Sequence, residues 1–318
     1  MAHDPQMINL YVAKVLLAEI DQDYTKEDAN LLYSSASNFV DQRAAILLLK
    51  NQQDSIGYNT LEKAMEDPFW DIRRLAISSS DNLAKYRRKE TLDRFIQLAE
   101  KDEKSTVRAT AIGALAKHYA EETEMAVFEK GLQDISYRVV AASLNAIHEK
   151  DQEQGIQQAE RLETEENNSV ILTIARIYSE EGDPKRQEFY ESSAQKLTGF
   201  GKYPLYGAYA NFIVQQDDDF VKSHLDFLMK ESLSDSHWVI RSATVGGIIR
   251  LKDSYEAKKD NLTERISNEQ DPEQKEGLRK QMQGKMEILE MLNASLKSID
   301  EQETNSRIKG MLAPALMN

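Results

Sequence analysis

A short signature returns along this chain: an Asp-containing turn, then an arginine among apolar residues, then an alanine. It reads Ile72-Arg73-Arg74-Leu75-Ala76, Val107-Arg108-Ala109-Thr110-Ala111, Tyr137-Arg138-Val139-Val140-Ala141 and Ile240-Arg241-Ser242-Ala243, with Asp67, Asp102, Asp134 and Asp235 in the preceding turns. The arginines are separated by 35, 30 and 103 residues, the last gap being close to three periods of about 34. A period in that range marks stacked helix pairs, each too small to bury its own apolar stripe. Inside the long gap, Ser169-Val170-Ile171-Leu172 and Tyr206-Gly207-Ala208-Tyr209-Ala210 fall near the expected places without the arginine, so those units are degenerate. Ala76, Ala111 and Ala141 let neighbouring helices approach. The Asp and Arg of each turn are expected to bond laterally to the next repeat.

The punctuation of the chain agrees. Only 6 prolines and 13 glycines in 318 residues leave too few turns for many short strands. The Asp-turn plus Val-Arg-x-x-Ala pattern resembles the HEAT repeat family over roughly residues 40–251. That resemblance implies an all-α chain, an α-α superhelix of HEAT-like helix pairs. Residues 1–39 then read as N-terminal helices opening the array and residues 252–318 as a charged segment with C-terminal capping helices. The opening part holds a helix over about residues 5–20, with Ile8, Tyr11, Val12, Val15 and Leu16 on one face, and a capping box of Thr25 with Asp28 before the next. In the closing part Pro272 is a break, and Leu278, Met282, Met286, Leu289, Leu292 and Leu296 form the stripe of a last, capping helix.

Composition narrows the chemistry. Lysine and arginine number 40 against 54 acids, a net charge of −14, which argues against duplex nucleic acid or an anionic membrane as partner. No stretch approaches a membrane span in length. There is no cysteine, hence no thiolate nucleophile or Cys-held metal. The five histidines include no pair four apart, and after His148-Glu149 a zinc-protease helix would need histidine where Gln152 stands. His118 reads as a packed residue, and Asp217-Asp218-Asp219 lacks the ligand spacing and glycine of an EF-hand loop. Gly246-Gly247 sits inside a helical pattern and reads as a close helix contact rather than a phosphate cradle. No catalytic or metal-binding residue is expected, and no cofactor in this chain. Candidate surface contacts are Arg87 and Arg88, in the run Lys85-Tyr86-Arg87-Arg88-Lys89, and Tyr203 and Tyr206, in an aromatic series from Phe200 to Phe212 that drifts around its helix.

The opening Ala2-His3-Asp4-Pro5 with Asn9-Leu10-Tyr11-Val12-Ala13 resembles the segment that begins the C-terminal helical domain of the aminopeptidase N family of zinc metallopeptidases, approximately D-x-F-N-R-W-E-A. Asn9 and Ala13 match and Tyr11 stands for the tryptophan, while Leu10 and Val12 replace the arginine and glutamate. The resemblance implies a non-catalytic domain of a bacterial-type enzyme that covers the active-site chamber and limits peptide access. The zinc and its H-E-x-x-H helix would belong to a catalytic domain of the same polypeptide. The alternative is a free-standing HEAT-repeat scaffold that binds a protein or peptide partner on its concave face. The compartment, cytoplasmic or periplasmic, stays open.

Overall fold

The computed structural model describes residues 26–317 apart from 37, 51–54 and 236. The helix expected over residues 5–20, the Thr25 capping box and the aminopeptidase-like opening lie outside the described residues. All regular elements described are helical, in seventeen α-helices and two short 3-10 turns. They run α1 Lys26–Ser35, α2 Phe39–Leu49, α3 Ser55–Ala64, α4 Trp70–Ser78, α5 Leu83–Tyr86, α6 Arg88–Lys101, α7 Ser105–Tyr119, α8 Met125–Gly131 and α9 Tyr137–Lys150. There follow α10 Gln152–Arg161, α11 Asn168–Glu181, α12 Gln187–Lys196, α13 Lys202–Val214, α14 Asp218–Ser234, α15 Trp238–Asn268, α16 Pro272–Gln302 and α17 Ser306–Met317. The fold is all-α, built of HEAT-like helix pairs.

Two compact units divide between Gln158 and Ala159, inside α10. In the first, one apolar core continues from Ala29 to Ile147. The second helices of successive pairs, α4, α7 and α9, pack directly on one another. The first helices are joined instead by long polar side chains: Arg94 to Glu66, Lys130 to Glu100 at 3.2 Å, and Gln154 to Glu129 at 2.9 Å.

The second unit is held by aromatic rings where the arginine signature lapses. Tyr190 lies 5.2 Å from Tyr209 and 4.9 Å from Phe212, centre to centre, and all three are fully buried. Gly247 of α15 faces Ala210 of α13, where an added Cβ would stand 3.0 Å from the alanine methyl, so the glycine marks a close helix crossing.

Two differences from the sequence reading concern the C-terminal part. The boundary placed at 251–252 falls inside α15, a helix of 31 residues whose buried Leu251 and Lys252 belong to one continuous turn. The stripe from Leu278 to Leu296 does form an amphipathic helix, α16, N-capped by Asp271 ahead of Pro272, but it is not the last. The chain turns at Glu303 and closes with α17, which buries Ile308 and Leu312. Lys252 reaches from the interior to the carbonyl of Ala315, placing a cation on the unpaired C-terminal end of α17.

Candidate partner-binding surface

The surface is set by how the turns between paired helices are tied down. In three of the four arginine-bearing repeats the guanidinium sits at the fourth residue of the second helix and makes two sets of bonds. Arg73 donates to the carbonyl of its own Asp67 at 2.8 Å and to both carboxylate oxygens of Asp102, one repeat on, at 2.7 and 2.9 Å. Arg108 repeats this with the carbonyl of Asp102 at 2.8 Å and the Asp134 carboxylate at 2.8 and 2.7 Å. Each receiving acid also caps its own turn, since Asp102 accepts from the Lys104 N–H at 2.9 Å and Asp134 from the Ser136 N–H at 2.8 Å. In the second unit Arg241 donates to the carbonyl of Asp235 at 2.7 Å and bidentately to Glu303, both bonds at 2.9 Å. Planar bidentate pairs of this kind fix orientation as well as adding energy.

Arg138 takes no place in this ladder. It follows Asp134 by four residues, whereas Arg73, Arg108 and Arg241 follow their aspartates by six. The fourth residue of α9 is Val140, which is buried, and Arg138 is exposed instead. In α11 and α13 the same place is filled by Ile171 and Leu205, also buried. At the other end, Gln42 of α2 occupies it and donates to Asp67 at 3.1 Å, beside the Tyr33 hydroxyl at 3.1 Å.

The four candidate contact residues separate. Arg87 reaches back to Glu62 at 2.5 Å and Asn59 at 2.8 Å, and Arg88 reaches forward to Glu122 and to the His118 carbonyl, stacking over the Tyr119 ring at 4.8 Å. Both are neutralised within the array. Tyr206 does not reach the surface: it is fully buried and its hydroxyl donates to Glu231, burial and that carboxylate together pushing its ionisation upward. The reason is the stripe's drift, which at steps of three turns Phe200 and Tyr203 outward and Tyr206, Tyr209 and Phe212 inward.

What sequence reading missed is a set of apolar side chains beside the ladder, interrupted between Phe69 and Ile135 by exposed Glu103 and Lys104. At the start of the second helices in the first unit, Phe39, Phe69, Ile135 and Tyr137 are exposed, and the Phe39 and Phe69 rings touch at 5.2 Å. Trp70 follows at 5.9 Å from Phe69. The available signal was the aromatic recurring as first residue of a second helix: Phe39, Trp70, Tyr137 and Trp238.

The ionisable groups that could suggest chemistry have structural partners. His118 bonds Asp81 at 3.0 Å, and burial, outweighing that carboxylate, holds its pKa below the ordinary histidine value. Asp217 caps α14 through the Phe220 N–H at 2.8 Å. Among the described residues no group of three or more His, Cys, Asp or Glu could hold a metal ion, and no helix is long and apolar enough to cross a membrane.

Residues 58–148 match the family of HEAT repeats. That span holds α4 to α8 and most of α9, the part where the Asp and Arg ladder runs without interruption. No curated protein matches the sequence. Among solved structures the chain is similar to one from the work in which Kap95p binding induces the switch loops of RanGDP to adopt the GTP-bound conformation, at 11% identity and TM-score 0.48, covering 96% of this chain and 46% of that one. It is similar also to a chain of Kap121p bound to RanGTP, at 10% identity and TM-score 0.42, over 99% and 45%, and to Kap121p, at 11% and 0.37, over 99% and 44%. The chain thus spans less than half the length of each. The aminopeptidase resemblance of residues 2–13 receives no support from these comparisons.

Proposed function

We propose that this chain is a HEAT-repeat scaffold that binds a protein partner, with contact made along the rim where the second helices of the first unit begin. The observation that carries it is Ile135, 96% exposed at the tip of a turn that is anything but loose. Asp134 on one side is gripped by Arg108, and Ser136 on the other is bonded back to Asp134. A rigid turn therefore holds an isoleucine in water, where covering it would yield about 1.5–3 kcal/mol. Tyr137, Phe39 and Phe69 extend the same rim, and aromatic anchors of this kind dominate binding at protein interfaces. The second helices also pack more closely on one another than the first, which gives the rim a firm base.

The experiment uses the full chain as immobilised bait beside a Phe69→Ser/Ile135→Ser variant. A stoichiometric partner held by the wild type and lost by the variant, at equal helicity, supports the proposal; equal retention by both contradicts it.

The narrower reading, a helical cover of a zinc aminopeptidase, rests on the opening residues 2–13 followed by the HEAT-like array. It expects no release of amino acid from aminoacyl reporters by this chain with added zinc, and preferential docking to a separately expressed aminopeptidase core. The match of residues 58–148 to HEAT repeats supports the scaffold reading, and no comparison supports the aminopeptidase one.

A further inference from the structure

The long helices α15 and α16 border a shallow, open groove of about 460 Å³ whose lining includes Lys258, Arg265, Lys285, Asn261, Gln281 and Leu262. None of the side chains lining it is acidic. In a chain with 54 acids against 40 bases this is a local reversal of charge. Lys285 is ion-paired with Asp218, whereas Lys258 depends on weaker contacts. Lys258 Nζ lies 4.5 Å from the centre of the Tyr255 ring and 3.5 Å from the Val214 carbonyl, and Lys285 Nζ lies 5.4 Å from the same ring. The carboxylate facing both is Asp218, which already accepts from Lys285 at 2.5 Å and from the Tyr255 hydroxyl at 2.8 Å. Lys285 also lines the adjoining cleft with Asp217, Asp218 and Asp219, so the positive character of the groove rests mainly on Lys258 and Arg265.

We infer that this groove binds an acidic, extended peptide segment of a protein partner, one glutamate or aspartate seated between Lys258 and Lys285 and a second on Arg265. The spacing selects a peptide over a small anion. Lys258 and Arg265 are seven residues apart on one helix, about 10 Å along its axis, farther than one phosphate or carboxylate can bridge. An extended chain covers that distance in three residues at about 3.3 Å each. Between the cations the groove offers Leu262 as an apolar floor, with Asn261 and Gln281 able to bond peptide amides and carbonyls. Burial, with repulsion from Lys285, holds the Lys258 amine below its ordinary pKa, an imbalance that an incoming carboxylate relieves. The groove belongs to the second unit, and this inference stands whether or not the apolar rim of the first unit binds protein.

The test is fluorescence anisotropy with the full chain and a labelled peptide carrying Glu-Leu-Ser-Glu between neutral flanks. A Lys258→Gln/Arg265→Gln variant is compared with Lys196→Gln, which removes one exposed charge from α12. The expected result is binding weakened about tenfold or more in the double variant, as for loss of charge-assisted bonds, and unchanged in Lys196→Gln. Arg265 is exposed, so Arg265→Gln alone, with its smaller loss, keeps the test valid if replacing Lys258 disturbs folding. Equal binding of a glutamine-for-glutamate peptide would overturn the inference, as would a double variant that binds like wild type. So would displacement by inorganic phosphate at concentrations where acetate has no effect, since that marks a small-anion site.

Discussion

The guanidinium of Arg108 holds both carboxylate oxygens of Asp134, at 2.7 and 2.8 Å, and donates from its third nitrogen, Nη1, to the carbonyl of Asp102 at 2.8 Å. One side chain thus closes the turn of its own repeat and fastens that of the next. Because both partners are mostly buried, removing one leaves the other desolvated and unpaired.

Arg108→Ala is therefore expected to cost about 2–3 kcal/mol of stability. Arg138→Ala, which touches an exposed side chain outside the ladder, is expected to change it by about 0.5 kcal/mol or less. Urea unfolding of the two variants checks the pair, and equal losses would remove the ladder from the account.

Glu303 gives the ladder a pH dependence. Its carboxyl is held below the ordinary glutamate range first by Arg241 and also by the backbone N–H groups of Asn305 and Thr304, against the opposing effect of burial. A folded-state pKa below the unfolded one means that the stabilisation is fully present above the unfolded value of about 4.3 and is lost as pH falls through the folded one. Thermal unfolding of wild type and Glu303→Gln should differ clearly at neutral pH and converge in acid below that range. A gap that stays constant with pH would show that the carboxylate charge is not what holds α17's turn.

Two glycines should respond in opposite directions to alanine. At Gly155 a Cβ would come within 2.4 Å of the His148 Cα, so Gly155→Ala forces α10 away from α9 and is expected to destabilise by about 1–3 kcal/mol. Gly113, in the exposed middle of α7, has nothing within 4 Å of that position, and Gly113→Ala is expected to stabilise by about 0.5–1 kcal/mol through helix propensity. Differential scanning calorimetry of both variants decides this.

The periodic arginine made the helix-pair fold legible, because a bidentate contact to the next repeat needs the same residue at the same place each time. What the arginine alone could not give was register. Arg138 shares the local motif, yet its distance of four from Asp134 points it away from the ladder, and the six-residue spacing that separates the cases is a matter of helix phase. Glu303 was hidden for another reason: the helices α15 and α16 are each 31 residues long, so Arg241 finds its acid 62 residues away and in a glutamate. The exposed rim was illegible in a stronger sense. Apolar residues at helix starts serve equally as core staples, and only the direction of each turn places Ile135 in water while Ile72 is buried. The groove with Lys258 and Arg265 shares that limit, since it depends on α16 returning alongside α15 with its own acids facing elsewhere.

Site-specific photocrosslinking tests directly whether the rim of the first unit is a protein-binding surface. A benzophenone amino acid introduced at Ile135 in the full chain, exposed to source lysate and irradiated, is expected to join covalently to one partner protein in high yield. The same probe at Asp93, an exposed position of α6, is expected to give little of that product. Equal, scattered labelling from both positions would contradict the scaffold reading and leave Ile135 an exposed residue without a role.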